Sequence, residues 1–445
     1  MKVKMKYTLT LSILSVMSSL ACANDAWSTD RQWLLGDWNG ERQALEDKGY
    51  KFDASFVNQS ASNVDGGYNH DQQIQNASQL KLGASFDLSK IVGWNNTQAS
   101  LVITERDGES LAAKRTADPR AAQLSTTQEI YGRGQSWRIN QMWIKKGFDD
   151  NKFQVKFGRM GFSEDFNSSQ CEFQNWGLCG SLLGKVVGDV WYNAPVSVWA
   201  INAKYQFTPE WSIATGVYEV NPQDTKENGG FNLGMGQTSG ATIPVELAWK
   251  PKFNGLPGEY KVGAFYSTAD ATDVATDANG NFTTSTAKRK VHDNKHSFWI
   301  NMQQKLTENP SDPKRGLYAT ANFTFNDKAT SKVEYSQQVA LWYKGLFDMR
   351  PQDSIALGLA RFQVNKRVTA LEEYTNASND LTSADYLISK YKPVQRDEVD
   401  VELNYTYNWS PSIMIRPNIQ YVYQPGGVKE VDNAWVAGIS VRVNF

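Results

Sequence analysis

Val399-Asp400-Val401-Glu402-Leu403-Asn404-Tyr405-Thr406-Tyr407-Asn408-Trp409 is the stretch that decides the fold. Aliphatic and aromatic residues hold every odd position; acids, amides and Thr406 hold every even one. Successive side chains of a strand point to opposite faces, so this pattern is a strand with one apolar and one polar face. The neighbours repeat it. Ile413, Ile415, Ile419, Tyr421 and Tyr423 alternate with Ser412, Arg416, Asn418, Gln420 and Gln424, with Pro417 as an exception. At the C-terminus Trp435, Ala437, Ile439, Val441, Val443 and Phe445 alternate with Val436, Gly438, Ser440, Arg442 and Asn444.

Working towards the N-terminus, Leu317 to Phe325, Phe298 to Leu306, Ile243 to Trp249, Leu101 to Ile103 and Leu80 to Leu88 show the same period. About sixteen segments read this way. A sandwich with a dry core and a membrane barrel with a wet lumen both produce alternation. The barrel is favoured because the apolar faces end in aromatics, as in interfacial girdles, and the opposite faces keep charges and amides in mid-strand. Connections also alternate in length. Phe207 to Trp211, Phe347 to Asp353 and Trp409 to Ser412 are short, whereas Ser267 to Asn294 and Asn365 to Gln395 are long and rich in Gly, Asp, Thr and Asn. The expected fold is an all-β transmembrane barrel of about sixteen antiparallel strands with short periplasmic turns and long extracellular loops. Closure is required because lipid cannot satisfy an open sheet edge.

The chain has 445 residues, a formal net charge of −1 and 12% aromatics. No stretch is apolar for long enough to span a bilayer as a helix. Near-zero charge offers no footprint for nucleic acid, and three His with three Cys leave little material for a metal site. Lys2, Lys4 and Lys6 precede an uncharged, Leu-rich run and a small-x-small site at Ala21-Cys22-Ala23. This reads as a secretory signal peptide over 1–23. Residues 24–49 form a periplasmic helical segment, with the helix at Trp38 to Lys48, Asp37 as N-cap and Gly49 as the stop. The barrel occupies 50–445. Export leaves Cys171 and Cys179, whose spacing suits a disulfide within one loop, with two free thiols as the other reading.

At this point the residues resemble a known family, the carbohydrate-selective outer-membrane porins of the OprB type. The likeness runs over most of the mature chain in ordered blocks: Gly36 to Arg42, Gly83 to Leu88 with Gly93-Trp94, Glu129 to Arg138, Gly158-Arg159 with Glu164-Asp165-Phe166, Trp191 to Ser197, and Val217 to Pro222. The resemblance implies a Gram-negative outer-membrane pore with inward-folded loops that passes monosaccharides and related small polyols by passive diffusion. A general or ion- and carboxylate-selective porin of the same architecture is the other reading. No enzyme activity and no cofactor is expected. Expected partners are the sugar itself, membrane lipid and lipopolysaccharide (which Lys288-Arg289-Lys290 would meet), and the barrel-assembly machinery through Phe445.

A selective pore needs a constriction, polar groups that replace the hydration of the solute, and binding weak enough for release. Arg side chains and carboxylates suit hydroxyl-rich solutes as donors and acceptors. Arg106 shares the lumen face with Gln98, Ser100 and Thr104 and matches the family's constriction arginine; the plain alternative is a rim charge paired with Glu105 or Asp107. Arg133 and Arg138, in the distinctive block, are further candidates, with an ion pair to Glu129 as the plain alternative. Glu246, Trp299 and Asn301 are placed on the lumen face by parity. Arg159 shares parity with Phe153, Val155 and Phe157 and is expected to face lipid unless its strand ends or bulges before it.

Overall fold

The computed structural model describes residues 27–445 apart from 122, 133 and 134, so the signal-peptide reading and Arg133 lie outside the described residues. Sixteen long strands follow one another: β1 (Tyr50–Gly67), β2 (Gln75–Asp87), β3 (Thr97–Gly108), β4 (Trp137–Phe148), β5 (Phe153–Met160), β6 (Val198–Gln206), β7 (Trp211–Val220), β8 (Gly240–Trp249), β9 (Leu256–Ser267), β10 (Lys295–Lys305), β11 (Gly316–Asn326), β12 (Val333–Lys344), β13 (Ser354–Val364), β14 (Asp397–Ser410), β15 (Ile413–Tyr423) and β16 (Asp432–Asn444). Each pairs antiparallel with its neighbours, and β1 pairs with both β2 and β16, from Ser55↔Asn444 to Gly67↔Asp432. The sheet therefore has no edge, and every strand backbone finds partners within it. Among the described residues no helix is long and apolar enough to cross a membrane.

Parity holds along the strands. On β10, Ser297, Trp299 and Asn301 are buried while His296 and Phe298 are exposed. Outward aromatics gather at both ends. Trp211 stacks on Trp249 at 5.5 Å near the short turns, and Tyr421 lies 4.8 Å from Trp435 at the other end. These are the two girdles expected where the barrel meets the interfaces. The long connections are more ordered than loop composition suggests. The 268–294 connection carries a hairpin (Ala271–Asp277 with Arg289–His292), and the 365–396 connection carries a twelve-residue helix, Lys366–Ala377, capped by Asn365. Asn365 accepts the N–H of Arg367, a side-chain cap that starts the helix.

The N-terminal helix α1 spans Glu41–Asp47, shorter than expected. Asp37 does not cap it with its side chain. Trp38, Asn39 and Gly40 all adopt positive φ, and the Asp37 carbonyl accepts from the Gly40 and Arg42 N–H groups instead. Gly49, at φ +97°, does end the segment. A Cβ there would come 2.8 Å from the Asp87 carbonyl oxygen. The segment docks at the short-turn end over the β1–β16 seam, where the Leu34 N–H donates to the Asn444 carbonyl at 2.8 Å.

Candidate passage and constriction

Two long connections fold inwards. The first, 161–197 between β5 and β6, carries short helical turns at Phe162–Glu164 and Trp176–Leu178 and a single turn, α2, at Leu183–Val186. Its apolar residues are buried against the inner wall. Phe162, Phe166, Leu183, Val187, Trp191 and Tyr192 pack with Tyr218, Phe265 and Trp299. Phe173, Leu178, Cys179 and Leu182 pack with Ala340, Trp342, Ala356, Ala360 and Phe362. Burial of side chains of this size contributes about 2 kcal/mol each. Small wall residues admit the loop: a Cβ at Gly358 would sit 2.8 Å from the Phe173 ring. One side of the barrel interior is therefore a dry core, not a wet wall.

Polar anchors fix the loop between these apolar patches. Glu246 on β8 accepts the Asn167 N–H at 2.8 Å and the Trp299 indole N–H at 2.8 Å. Glu402 on β14 accepts the N–H groups of Gln174 at 3.0 Å and Asn175 at 2.6 Å. Asn301 donates to the Ser169 hydroxyl at 2.7 Å, and Asn322 pairs with Asn167. Arg416 binds Glu172 at 2.9 Å. Charge-assisted bonds of this kind are roughly twice as strong as neutral ones, and they satisfy loop N–H groups that no strand reaches. A disulfide joins Cys171 to Cys179 and closes the segment that carries Glu172, Phe173, Gln174 and Asn175. The second inward connection, 109–136, meets the first: the Glu129 N–H donates to the Gln174 carbonyl and the Trp176 N–H to the Thr126 carbonyl.

The sequence-derived residues separate into groups. Glu246 and Trp299 touch each other, and Asn301 lies one layer away through Ser168 and Ser169. All three face inwards, but the loop covers them; Trp299 has 0% exposure. Arg106 is on the lumen face but only 6% exposed, its Nε–H donating to Gln79 at 2.8 Å. Arg138 lies opposite Thr104 on the next strand. It is fully engaged elsewhere, donating to the carbonyls of Asp224 at 2.7 Å and Lys226 at 2.6 Å in the 221–239 connection. Arg159 keeps its outward register, opposite Met142 and Trp199, yet is only 2% exposed. Its strand ends one residue later, and Asp224 of the same connection pairs with it at 3.2 Å. It does not meet lipid.

The family comparison agrees with this geometry. Residues 71–445 match the model described as the carbohydrate-selective porin, OprB family. The chain belongs to that family. It is 61% identical over 434 residues, 96% of each chain, to "Putative porin QuiX" of Acinetobacter baylyi. It is 44% identical to Porin B of Pseudomonas aeruginosa over 96% of this chain and 95% of that one. A high-pH structure of Pseudomonas putida OprB superposes with a TM-score of 0.91 at 47% identity, covering 95% of this chain and 100% of that chain. This OprB-family barrel is thus an outer-membrane porin in architecture, and its relatives are channels, not catalysts.

Sequence parity missed the residues that hold the constriction. Glu402 and Arg416 read only as polar-face positions, and Lys261 was not singled out, because period two reports a face and not what lies against it. The dense run Asn167-Ser168-Ser169-Gln170 and Gln174-Asn175 was the available signal: it meets Glu246, Asn301, Asn322, Glu402 and Gln420 of the wall, which it can do only by folding inside.

Proposed function

We propose that this porin passes monosaccharides and related small polyols into the periplasm by passive, selective diffusion. The observation that supports the reading is the loop 161–197, packed dry against one side of the inner wall and anchored by Glu246 and Glu402, so that a solute has to pass beside it. Along that passage Arg106, held by Gln79, offers guanidinium and amide groups to hydroxyls. Arg138 acts by positioning the 221–239 connection, and Arg133 belongs to the same block as a candidate contact. Glu246, Trp299 and Asn301 shape the constriction from behind the loop. Names of relatives support the sugar reading: the family is described as carbohydrate-selective. Export by the 1–23 signal, assembly through Phe445 and lipopolysaccharide contact at Lys288-Arg289-Lys290 complete the proposal. Liposomes carrying the purified protein should swell faster in glucose than in a disaccharide. Equal swelling in both would favour a general porin, and no swelling in any monosaccharide would overturn the reading.

A further inference from the structure

The charges on the inner wall are not evenly spent. Glu398 and Asp400, buried at the long-loop end of β14, carry no ion pair among the described residues, but the wall's other acids are engaged: Glu246 and Glu402 cap the loop, Glu259 pairs with Lys250 and Lys261, and the loop acids Glu164, Asp165 and Glu172 pair with Lys156 or Arg416. Several cations are not. Directly opposed residues share a face, and the register puts Lys81 opposite Thr104, Lys145 opposite Gln98, Lys204 opposite Gln154, and Arg442 opposite Val57, all on the lumen side. Among the described residues none of these four is ion-paired with a carboxylate. Lys145 also lies directly opposite Lys156. Glu164 and Asp165 answer the charge of Lys156, and Lys145 has no such partner among the described residues. Lys145, Lys204 and Arg442 sit within three residues of the periplasmic ends of β4, β6 and β16.

Beside Lys145 is a polar recess of about 420 Å³ at the periplasmic mouth, lined by Asp87, Gln98, Asn151 and Gln154 among others. Asp87 there already accepts the Ser89 N–H at 3.0 Å, and Asp53, the other lumen-face acid at this level, lies beside Arg42. The recess offers one unspent cation, amides that donate and accept, and one acceptor acid.

We infer that the periplasmic part of the passage is a site for a hydroxylated monocarboxylate, a sugar-acid-like anion, whose carboxylate is taken by Lys145 and whose hydroxyls are taken by Gln98, Gln154, Asn151 and Asp87. Lys81, Lys204 and Arg442 supply the surrounding positive field, which concentrates anions in a low-dielectric channel as basic rings do in anion pores. The inference rests on the pore reading above and adds a charged, sugar-acid class to the neutral solutes proposed there.

The test uses the full-length protein in planar bilayers and in liposomes. In a KCl gradient the zero-current potential should have the sign of a chloride preference. Glucuronate should swell liposomes faster than glucose. Lys145→Gln should slow glucuronate selectively, and Lys81→Gln, Lys145→Gln, Lys204→Gln and Arg442→Gln combined should lower its rate on the order of tenfold while leaving glucose entry within error. Heat-modifiable migration on gels verifies folding of each variant; if the combined variant fails to fold, Lys145→Gln and the wild-type potential still decide. A cation-preferring potential, glucuronate no faster than glucose, or an unchanged glucuronate rate in folded Lys145→Gln overturns the inference. Entry of neither solute would instead overturn the pore reading beneath it.

Discussion

Glu402 shows what one residue does in this barrel. Both its oxygens are used, Oε1 by the Gln174 N–H and the Asn404 amide, Oε2 by the Gln174 and Asn175 N–H groups. Glu402→Ala leaves two buried N–H groups without an acceptor, a cost of about 2–5 kcal/mol to loop anchoring. Glu402→Gln keeps one acceptor oxygen but turns an NH2 towards a donor, so it should be intermediate. Because every strand pairing is untouched, the barrel itself should stay heat-modifiable. The expected readout is larger and noisier single-channel conductance in the order Ala, Gln, wild type; conductance unchanged in Glu402→Ala would remove the anchor from the account. Residue by residue, the sequence was legible for facing and not for contact. Glu402 was on the polar face of the stretch that decided the fold, but nothing in an alternating pattern says whether water or a loop backbone lies opposite. Trp299 was misjudged as a lumen surface for the same reason, and Arg159 because its outward register was covered by a connection 60-odd positions later in the chain.

At the scale of elements, the inward loop and the outer clasp each carry a prediction. The disulfide closes a short segment, so its loss changes global stability little but frees the stretch that Glu402 holds. Replacing Cys171 and Cys179 together with Ser should raise channel noise and speed protease cleavage between 171 and 179, with the barrel band unchanged; cleavage at the wild-type rate would count against a tether. The outer connections are clasped by Asp273, which binds Arg367 at 2.9 and 3.0 Å and lies 3.1 Å from His292. Burial raises the Asp273 pKa, but the N–H groups of Ala275 and Thr276, with His292 and Arg367, outweigh it and hold the carboxyl well below its usual range. Nearby, burial pushes Glu372 of the helix Lys366–Ala377 up from 4.5 to about 7, against the Gln395 N–H and Lys332 and Lys392. An acid whose folded pKa is raised binds more protons folded than unfolded, so its contribution is full below 4.5 and is lost as pH rises towards about 7. Asp273, depressed, contributes above its unfolded pKa throughout that window. Helix Lys366–Ala377 should therefore open more readily as pH rises from about 5 to about 7. Hydrogen exchange, corrected for its intrinsic pH dependence, should show this in wild type and not in Glu372→Gln. The helix itself was read as part of a long loop, although Lys366, Arg367, Ala370, Leu371, Glu372 and Glu373 favour helix behind the Asn365 cap, and Asp273 then holds it through Arg367.

At the scale of the molecule, the barrel closes by joining strands at opposite ends of the chain, and one arginine is placed on that seam. Arg42 lies 3.8 Å from the Trp33 ring centroid and 4.7 Å from that of Trp38, and it donates to the carbonyl of Phe52 at 2.9 Å and of Phe445 at 3.1 Å. The Phe445 N–H in turn donates to the Ala54 carbonyl at 2.9 Å. Pairing of β1 with β16 requires the longest loop closure in the chain, so it gains least from local order and most from a staple that forms once both strands are present. The alternating pattern made closure of the sheet legible, and Gly49 made the stop before β1 legible, but the staple was not. Arg42 sits in a helix whose start is set by three positive-φ residues rather than by a side-chain cap, a conformation that composition does not announce. Two bonds from a charged donor and a cation held between indoles contribute about 2–4 kcal/mol at the seam. Arg42→Ala should lower the temperature at which the folded gel band converts to the unfolded one, and Arg42→Lys should recover part of the loss through the cation–π contact but not the fork of carbonyl bonds. Pore selectivity should be unaffected, because the seam staple lies outside the passage. If Arg42→Ala converts at the wild-type temperature, closure rests on the β1–β16 ladder alone.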